Sequence, residues 1–203
     1  MLALPRPPMM TSRGRTGADH TFTLLASTLA APGLAKGHAC AQACVMQDYI
    51  LNHGVEHATL GEVVALLREY ERGTGISLCF QDFEAELAAL PGAYAPPRGL
   101  LILARQATDG VLIGCVALRP VAAAPELCEM KRLYVTAAAR NSGLGRQLAE
   151  AAITAGRRLG YRRMCLDTLP QMLAAQALYR SLGFRQTGES ADEPRVILFE
   201  RPL

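Results

Sequence analysis

The stretch VTAAARNSGLGRQLAEAAI, Val135 to Ile153, places two glycines one residue apart where an apolar-periodic helix begins. Glycine inside a helix costs about 1 kcal/mol relative to alanine. At the first turn it has a use instead, because it lets a bulky ligand come close to the backbone. The N–H groups of that turn have no intrahelical partner, and together with the positive end of the helix dipole they suit an anion such as phosphate. Arg140 and Arg146 flank the glycines, and guanidinium groups grip phosphate oxygens in pairs. Arg140-Asn141-Ser142-Gly143-Leu144-Gly145-Arg146 therefore reads as a phosphate-binding loop.

Composition narrows the partners. The chain has 203 residues, half of them hydrophobic and 19% charged, which is a globular composition. The net charge of +3 sits wholly in residues 1–45, leaving 17 basic against 17 acidic residues beyond them. A balanced core gives no footing for nucleic acid, whose binding leans on clustered Lys and Arg. No apolar run approaches the roughly 20 residues of a membrane span, so neither nucleic acid nor membrane is expected as a partner. The six cysteines lack Cys-x-x-Cys or zinc-like Cys/His spacing. No metal is expected, and Cys115, Cys128 and Cys165 read as reduced core residues of a cytoplasmic protein.

Residues 1–45 are rich in Pro, Ala, Ser and Thr and carry a single acid. A transit peptide fits this loosely, and a secretory signal fits less well because FTLLASTLAAPGLA is broken by Thr, Ser and Pro. The plainest reading is a disordered extension, with Met46 as an alternative start. Residues 46–203 form the domain. TLGEVVALLREYER and FQDFEAELAALPG carry helical spacing and end at Gly73/Gly75 and Pro91. LLILARQ and VLIGCVALRPV are strand-like runs joined by the turn Ala107-Thr108-Asp109-Gly110, and CEMKRLYV is a third strand. The glycine-opened helix follows, then strand RRMCLDTL, helix QMLAAQALYRSL closed by Gly183, and strand RVILFERPL. Short strands are expected near Tyr49 and after Phe184. Hairpins first and crossover helices later predict an α/β fold with a mixed sheet flanked by helices.

Two nucleotide loops are excluded on spacing. The Walker-type loop needs a Lys-Ser/Thr pair that is absent, and the dinucleotide fingerprint needs a third glycine where Leu148 stands. The loop instead resembles the Arg/Gln-x-x-Gly-x-Gly/Ala element of the GCN5-related N-acetyltransferase (GNAT) superfamily. EMKRLYV upstream and AAQALYRSLGF downstream are similar to further elements of that superfamily, and QDFEAEL…LPG…PP resembles bacterial-type members. The resemblance covers about residues 57–200. It implies a GNAT-type acyltransferase fold and an N-acetyltransferase that moves acetyl from acetyl-CoA to a primary amine of a small molecule or peptide, as a monomer or homodimer. A non-catalytic acyl-CoA-binding module on the same fold is the alternative.

The resemblance also assigns roles. The pyrophosphate of acetyl-CoA would lie on Arg140, Asn141, Ser142, Gly143, Leu144, Gly145 and Arg146, and the pantetheine arm along the backbone of Leu133, Tyr134 and Val135. Tyr179, four residues before Gly183, would protonate the departing thiolate, against the plainer reading of a core tyrosine. Glu129, eleven residues before Arg140, would be the general base, against a plain ion pair with Lys131 or Arg132 or a water in its place. Many members carry Asn where Met172 stands here, so that contact to the cofactor is missing. Cys128 has no neighbouring base and is set aside as an acyl carrier. Asp167-Thr168 reads as a cap ordering the loop into the next helix. The acceptor groove is expected from residues 62–97 and the C-terminal hairpin, where Glu69, Glu71, Asp82, Glu84 and Glu86 suit a cationic substrate.

The extension lacks the apolar surface to offset its ordering entropy. A chain beginning at Met46 is expected to keep its melting temperature and its acetyl-CoA affinity; a large drop in either, read by thermal melting and calorimetric titration, would show that residues 1–45 support the domain.

Overall fold

The computed structural model describes residues 49–54, 59–78, 82–190 and 194–203. The N-terminal extension, Cys40, Cys44 and Cys79 lie outside them. In chain order the elements are β1 (Tyr49–His53), α1 (Leu60–Thr74), α2 (Phe83–Ala89), β2 (Leu100–Gln106), β3 (Leu112–Val121), β4 (Ala124–Val135), α3 (Leu144–Arg158), β5 (Arg163–Thr168), α4 (Leu173–Ser181), β6 (Arg185–Glu189) and β7 (Ile197–Pro202). The strands form one seven-stranded sheet in the order β1-β2-β3-β4-β5-β7-β6. All neighbours are antiparallel except β4 and β5, which run parallel. This is the mixed α/β architecture expected, with both short strands present.

The near-continuous apolar runs of β2 and β3 follow from burial on both faces of the sheet. Ile102, Ala104, Val116 and Leu118 join a core with Leu144, Leu148 and Ala152 of α3 and Tyr179 of α4. The alternate residues Leu101, Leu103, Cys115 and Ala117 join a second core with Val63, Leu66 and Leu67 of α1 and Phe83 and Leu87 of α2. Period-2 alternation thus feeds two layers.

One irregularity shapes the centre of the sheet. Cys115 pairs with Tyr134 and Ala117 with Lys131, so Arg132 and Leu133 together oppose Val116 in a β-bulge. Arg132 takes φ +56, a conformation that bulky L-residues rarely adopt. Its guanidinium is almost wholly buried and pays out two bonds to Glu86, Nε to Oε1 at 2.8 Å and Nη2 to Oε2 at 2.5 Å. It also lies over the rings of Phe83 and Tyr70 at 5.0 and 6.0 Å, and the Tyr94 hydroxyl donates to Glu86 Oε1 at 2.9 Å. The pair ties α2 to the bulge.

Burial alone would raise the Glu86 carboxyl, but the hydrogen bonds and charge of Arg132 more than offset it and hold the group below its ordinary value. Its contribution to stability is therefore complete above the unfolded-state pKa of about 4.3 and is lost as pH falls through the lower folded value. Glu86→Ala leaves a buried guanidinium uncompensated and should cost about 3–5 kcal/mol. Urea unfolding at neutral pH reads the loss, and the gap between variant and wild type should close as the pH is taken below 4. An unchanged midpoint at neutral pH would show that the pair is not what holds α2.

Candidate active site

β4 and β5 separate after a short stretch of pairing. Their ladder covers only Leu127–Glu129 against Arg163–Cys165, while both strands continue, β4 to Val135 and β5 to Thr168. The bulge at Arg132 turns β4 away from its neighbour, and the gap is a cleft of about 320 Å³. Its walls are the β4 edge from Met130 to Val135, the end of β5, α4 and the C-terminal part of α1. The exposed edge offers backbone N–H and C=O groups that an extended ligand can pair with like an added strand.

Leu133, Tyr134 and Val135 line this cleft, as does Arg140 at its mouth. Arg140 donates from Nε to the Val135 carbonyl at 3.2 Å and lies over the Tyr134 ring at 5.8 Å. The loop follows directly. Asn141 and Gly143 both take left-handed backbone, φ +65 and +83, and Gly143 is the N-cap of α3. Ser142 Oγ donates to the Ala139 carbonyl at 2.8 Å and accepts from the Leu144 N–H at 3.3 Å, which fixes the turn. Leu144 points inward and is buried. Arg146 turns away from the loop: it donates to Ser181 Oγ at 2.7 Å and pairs with Glu150 at 3.6 Å.

The glycines leave room that the protein does not fill. A Cβ at Gly145 would meet only Val135 Cγ2, at an ordinary 3.8 Å, and one at Gly143 would meet nothing within 4 Å. Packing within the chain therefore does not require Gly145. A ligand seated on the first turn of α3 would, and an anionic group fits the N–H end of a 15-residue helix.

Tyr179 lines the floor of the cleft from α4 and is buried, its ring packed edge-on against Phe184 at 5.9 Å and tilted against Phe199 at 6.2 Å. Burial, then the nearness of Tyr70 and Asp167, pushes its phenol well above the ordinary value, so it stays protonated. The ring is thus a packed core element that also lines the cleft.

Glu129 sits where the β4–β5 ladder ends. Its Oε2 accepts from Arg119 Nε at 2.7 Å and its Oε1 lies 3.6 Å from Lys131 Nζ. Its side chain is not among those that line the cleft. The period-2 rule explains the placement, since Glu129 and its register partner Arg119 share one face of the sheet. Arg132, named with Lys131 as a plain partner for Glu129, pairs with Glu86 instead.

Two residues that line the cleft were not marked as functional by the sequence. Lys131 is buried, and its ammonium meets Asp167 Oδ1 at 2.9 Å. The N-cap of α4 is Met172, with no side-chain cap bond, and Gln176 donates to the loop carbonyls of Leu169 and Pro170 at 3.2 and 2.9 Å. The signal is in the sequence as charges set inside apolar strands, Glu129, Lys131 and Arg132 in β4 and Asp167 in β5. Met172 also lines the cleft, where Thr168 Oγ1 donates to its sulfur at 3.7 Å.

The acids of the expected cationic groove are mostly engaged. Glu69 accepts from the Tyr134 hydroxyl at 2.9 Å, Glu71 from the Leu78 N–H at 3.1 Å, Glu84 from Arg68 at 2.6 Å, and Glu86 holds Arg132. That charge is spent on joining α1 and α2 to the sheet and to each other. Among the described residues no His/Cys/Asp/Glu group is arranged to hold a metal ion, and no helix is long and apolar enough to cross a membrane. Burial raises the thiols of Cys115 and Cys128 to about 12 and that of Cys165 to about 11.

The splayed parallel strands and glycine-opened helix define a class. The model of the acetyltransferase (GNAT) family matches residues 60–184. An uncharacterized N-acetyltransferase of Schizosaccharomyces pombe is 41% identical over 128 residues, spanning 63% of this chain and 77% of its own. Human N-acetyltransferase 8 is 30% identical over 109 residues, 52% of this chain and 47% of its own. Among solved structures, a GNAT-family acetyltransferase from Staphylococcus aureus superposes with TM-score 0.65 at 17% identity, covering 76% of this chain and 99% of its own. The chain belongs to the GNAT family and is an acyltransferase.

Acetyl-CoA, the family's usual donor, carries the pyrophosphate that tests the loop. Gly145→Val should fold with an unchanged melting temperature, because the protein has room for the side chain, yet lose acetyl-CoA affinity outright. Gly143→Val should lose it too, with added strain at φ +83. Arg140→Ala should cost less, about 1.5–3 kcal/mol for one charged hydrogen bond. Calorimetric titration that finds wild-type affinity in Gly145→Val would remove the loop from the site.

Proposed function

We propose that this chain transfers acetyl from acetyl-CoA to a primary amine by direct attack of the amine on the bound thioester. The observation that carries the reading is the open β4 edge at Leu133–Val135: Val135, beside Gly145 and bonded to Arg140, stands at one end, and Tyr179 and Asp167 line the same cleft at the other. The dimensions suit an extended thiol arm paired along β4, with its pyrophosphate on the first turn of α3 and its reacting end at the floor. Arg140, Asn141, Ser142, Gly143, Leu144 and Gly145 would form the phosphate seat in this reading, with Arg146 bracing α3 against α4. The matching relatives named as N-acetyltransferases support the same chemistry.

Attack forms an N–C bond and breaks a C–S bond. The chain's tasks are to hold the thioester in line, to free the lone pair of an ammonium, and to meet the departing sulfur with a proton. Tyr179 fills the last role, since its buried phenol remains protonated and donates to sulfur as charge develops there. Glu129, bound to Arg119 and close to Lys131, enters this reading as the group that fixes the Lys131 ammonium.

The direct test is free thiol release from acetyl-CoA against 2-phenylethylamine, spermidine, lysine and a peptide with a free N-terminus. Amine-dependent release supports the transferase; tight acetyl-CoA binding with no release for any amine would leave a binding module. Tyr179→Phe keeps the ring between Phe184 and Phe199 and removes one oxygen. Acetyl-CoA affinity should hold while the single-turnover rate falls about 10²-fold, the scale of a positioned acid. A wild-type rate would reduce Tyr179 to a core residue.

A further inference from the structure

The cleft holds a carboxylate to which no role has been given. β4 and β5 remain paired only as far as Glu129 opposite Cys165. Two residues further along each strand stand Lys131 and Asp167, level with one another across the widening gap. The Lys131 ammonium spans that gap to Asp167 Oδ1 at 2.9 Å, so the pair marks the floor of the splay. Tyr179 of α4 and Tyr70 of α1 line the same cleft, and the charge of Asp167 bears on both phenols, in each case after the larger effect of burial. Glu129, by contrast, gives its carboxylate to Arg119 on the β3 side.

Within the N-acetyltransferase reading, on which this rests, we infer that Asp167 takes the proton from the acceptor ammonium and that Glu129 is a positioning residue acting through Lys131. An ammonium has no lone pair and cannot attack until one proton leaves. Among the described residues Asp167 is the carboxylate that lines the cleft, and its side chain keeps 17% exposure, enough to pass a proton on to solvent. An ionised carboxylate accepts at about four lone-pair positions, so one carboxylate can serve several donors at once. Lys131 in turn offsets the cost of keeping that charge in a half-buried place. The ammonium's first proton goes to Asp167 and then to water. The freed lone pair forms the N–C bond, the C–S bond breaks, and the second N–H proton balances the thiolate, delivered through the Tyr179 hydroxyl.

The test compares Asp167→Asn with Glu129→Gln on whichever of the four amines the wild type acetylates fastest. Asn keeps an oxygen for Lys131, so the fold and acetyl-CoA affinity should be retained. Turnover of Asp167→Asn should fall about 10²-fold or more, and that of Glu129→Gln by less than about tenfold. The pH profile separates a proton acceptor from a structural residue. The groups that face Asp167 are Lys131 of β4, Tyr70 of α1, Tyr179 of α4 and Cys165 of its own strand. Wild-type turnover should level off once Asp167 is ionised, whereas the Asn variant should climb about tenfold per pH unit toward the amine's own pKa, because only free amine reacts. Asp167→Glu, which restores the charge, should recover part of the rate even if it melts lower than Asn. Wild-type turnover and pH profile in Asp167→Asn, or a larger loss in Glu129→Gln, would overturn the inference and leave the transferase standing. No amine-dependent thiol release from the wild type would overturn both.

Discussion

The width of the cleft depends on the ion pair between Arg132 and Glu86. A β-bulge with a bulky residue at φ +56 is held only if its surroundings compensate the strain, which for such a conformation is on the order of 1–3 kcal/mol. Here the compensation is a guanidinium bonded twice to one carboxylate and stacked against Phe83 and Tyr70. The same residues that form the β4 bulge, beyond which β4 keeps its pairing with β3 but not with β5, therefore also dock α1 and α2 on the sheet. Without the bend, β4 and β5 would continue to pair beyond Glu129, and there would be no open edge and no floor. A buried ion pair is weak evidence for net stability; its value here lies in fixing one geometry.

The elements were legible in the sequence because their signals are local. The glycine-opened helix, the Asp109-Gly110 turn and the apolar alternation of β2 and β3 each follow from one chain segment and its immediate period. The loop itself was equally clear, since its turn residues, Asn141 and Gly143, adopt the left-handed backbone their types suggest. What escaped were pairings across elements. Asp167 reads as a cap by its place at a strand end, and only the parallel register with β4 sets it opposite Lys131. Glu129 reads as a base by its distance from Arg140 along the chain, and only the antiparallel register with β3 sets it on Arg119. Adjacent charges in Lys131-Arg132 marked something unusual, but a bulge that turns both to one face cannot be inferred from alternation alone.

The acidic helices carry a related lesson about acceptors. Glu69, Glu71, Glu84 and Glu86 look like a cationic groove when counted along α1 and α2, yet each has a donor on the chain itself. In the proposed reading, recognition of an amine falls to the few groups at the floor and to the shape left between α1 and α4. Apolar walls such as Leu78, Leu169 and Met172 then select by fit more than by charge.

The high thiol values have a consequence for a protein proposed to hold a thioester. A bound acyl donor is an acylating agent toward any nearby thiolate, and thiolate is the reactive form of cysteine. With Cys115 and Cys128 raised to about 12 and Cys165 to about 11 by burial, all three stay as thiols at neutral pH. The three sulfurs of the sheet are thus poor targets for a bound acyl donor. Desolvation, usually discussed for what it does to catalytic groups, here protects the donor from waste.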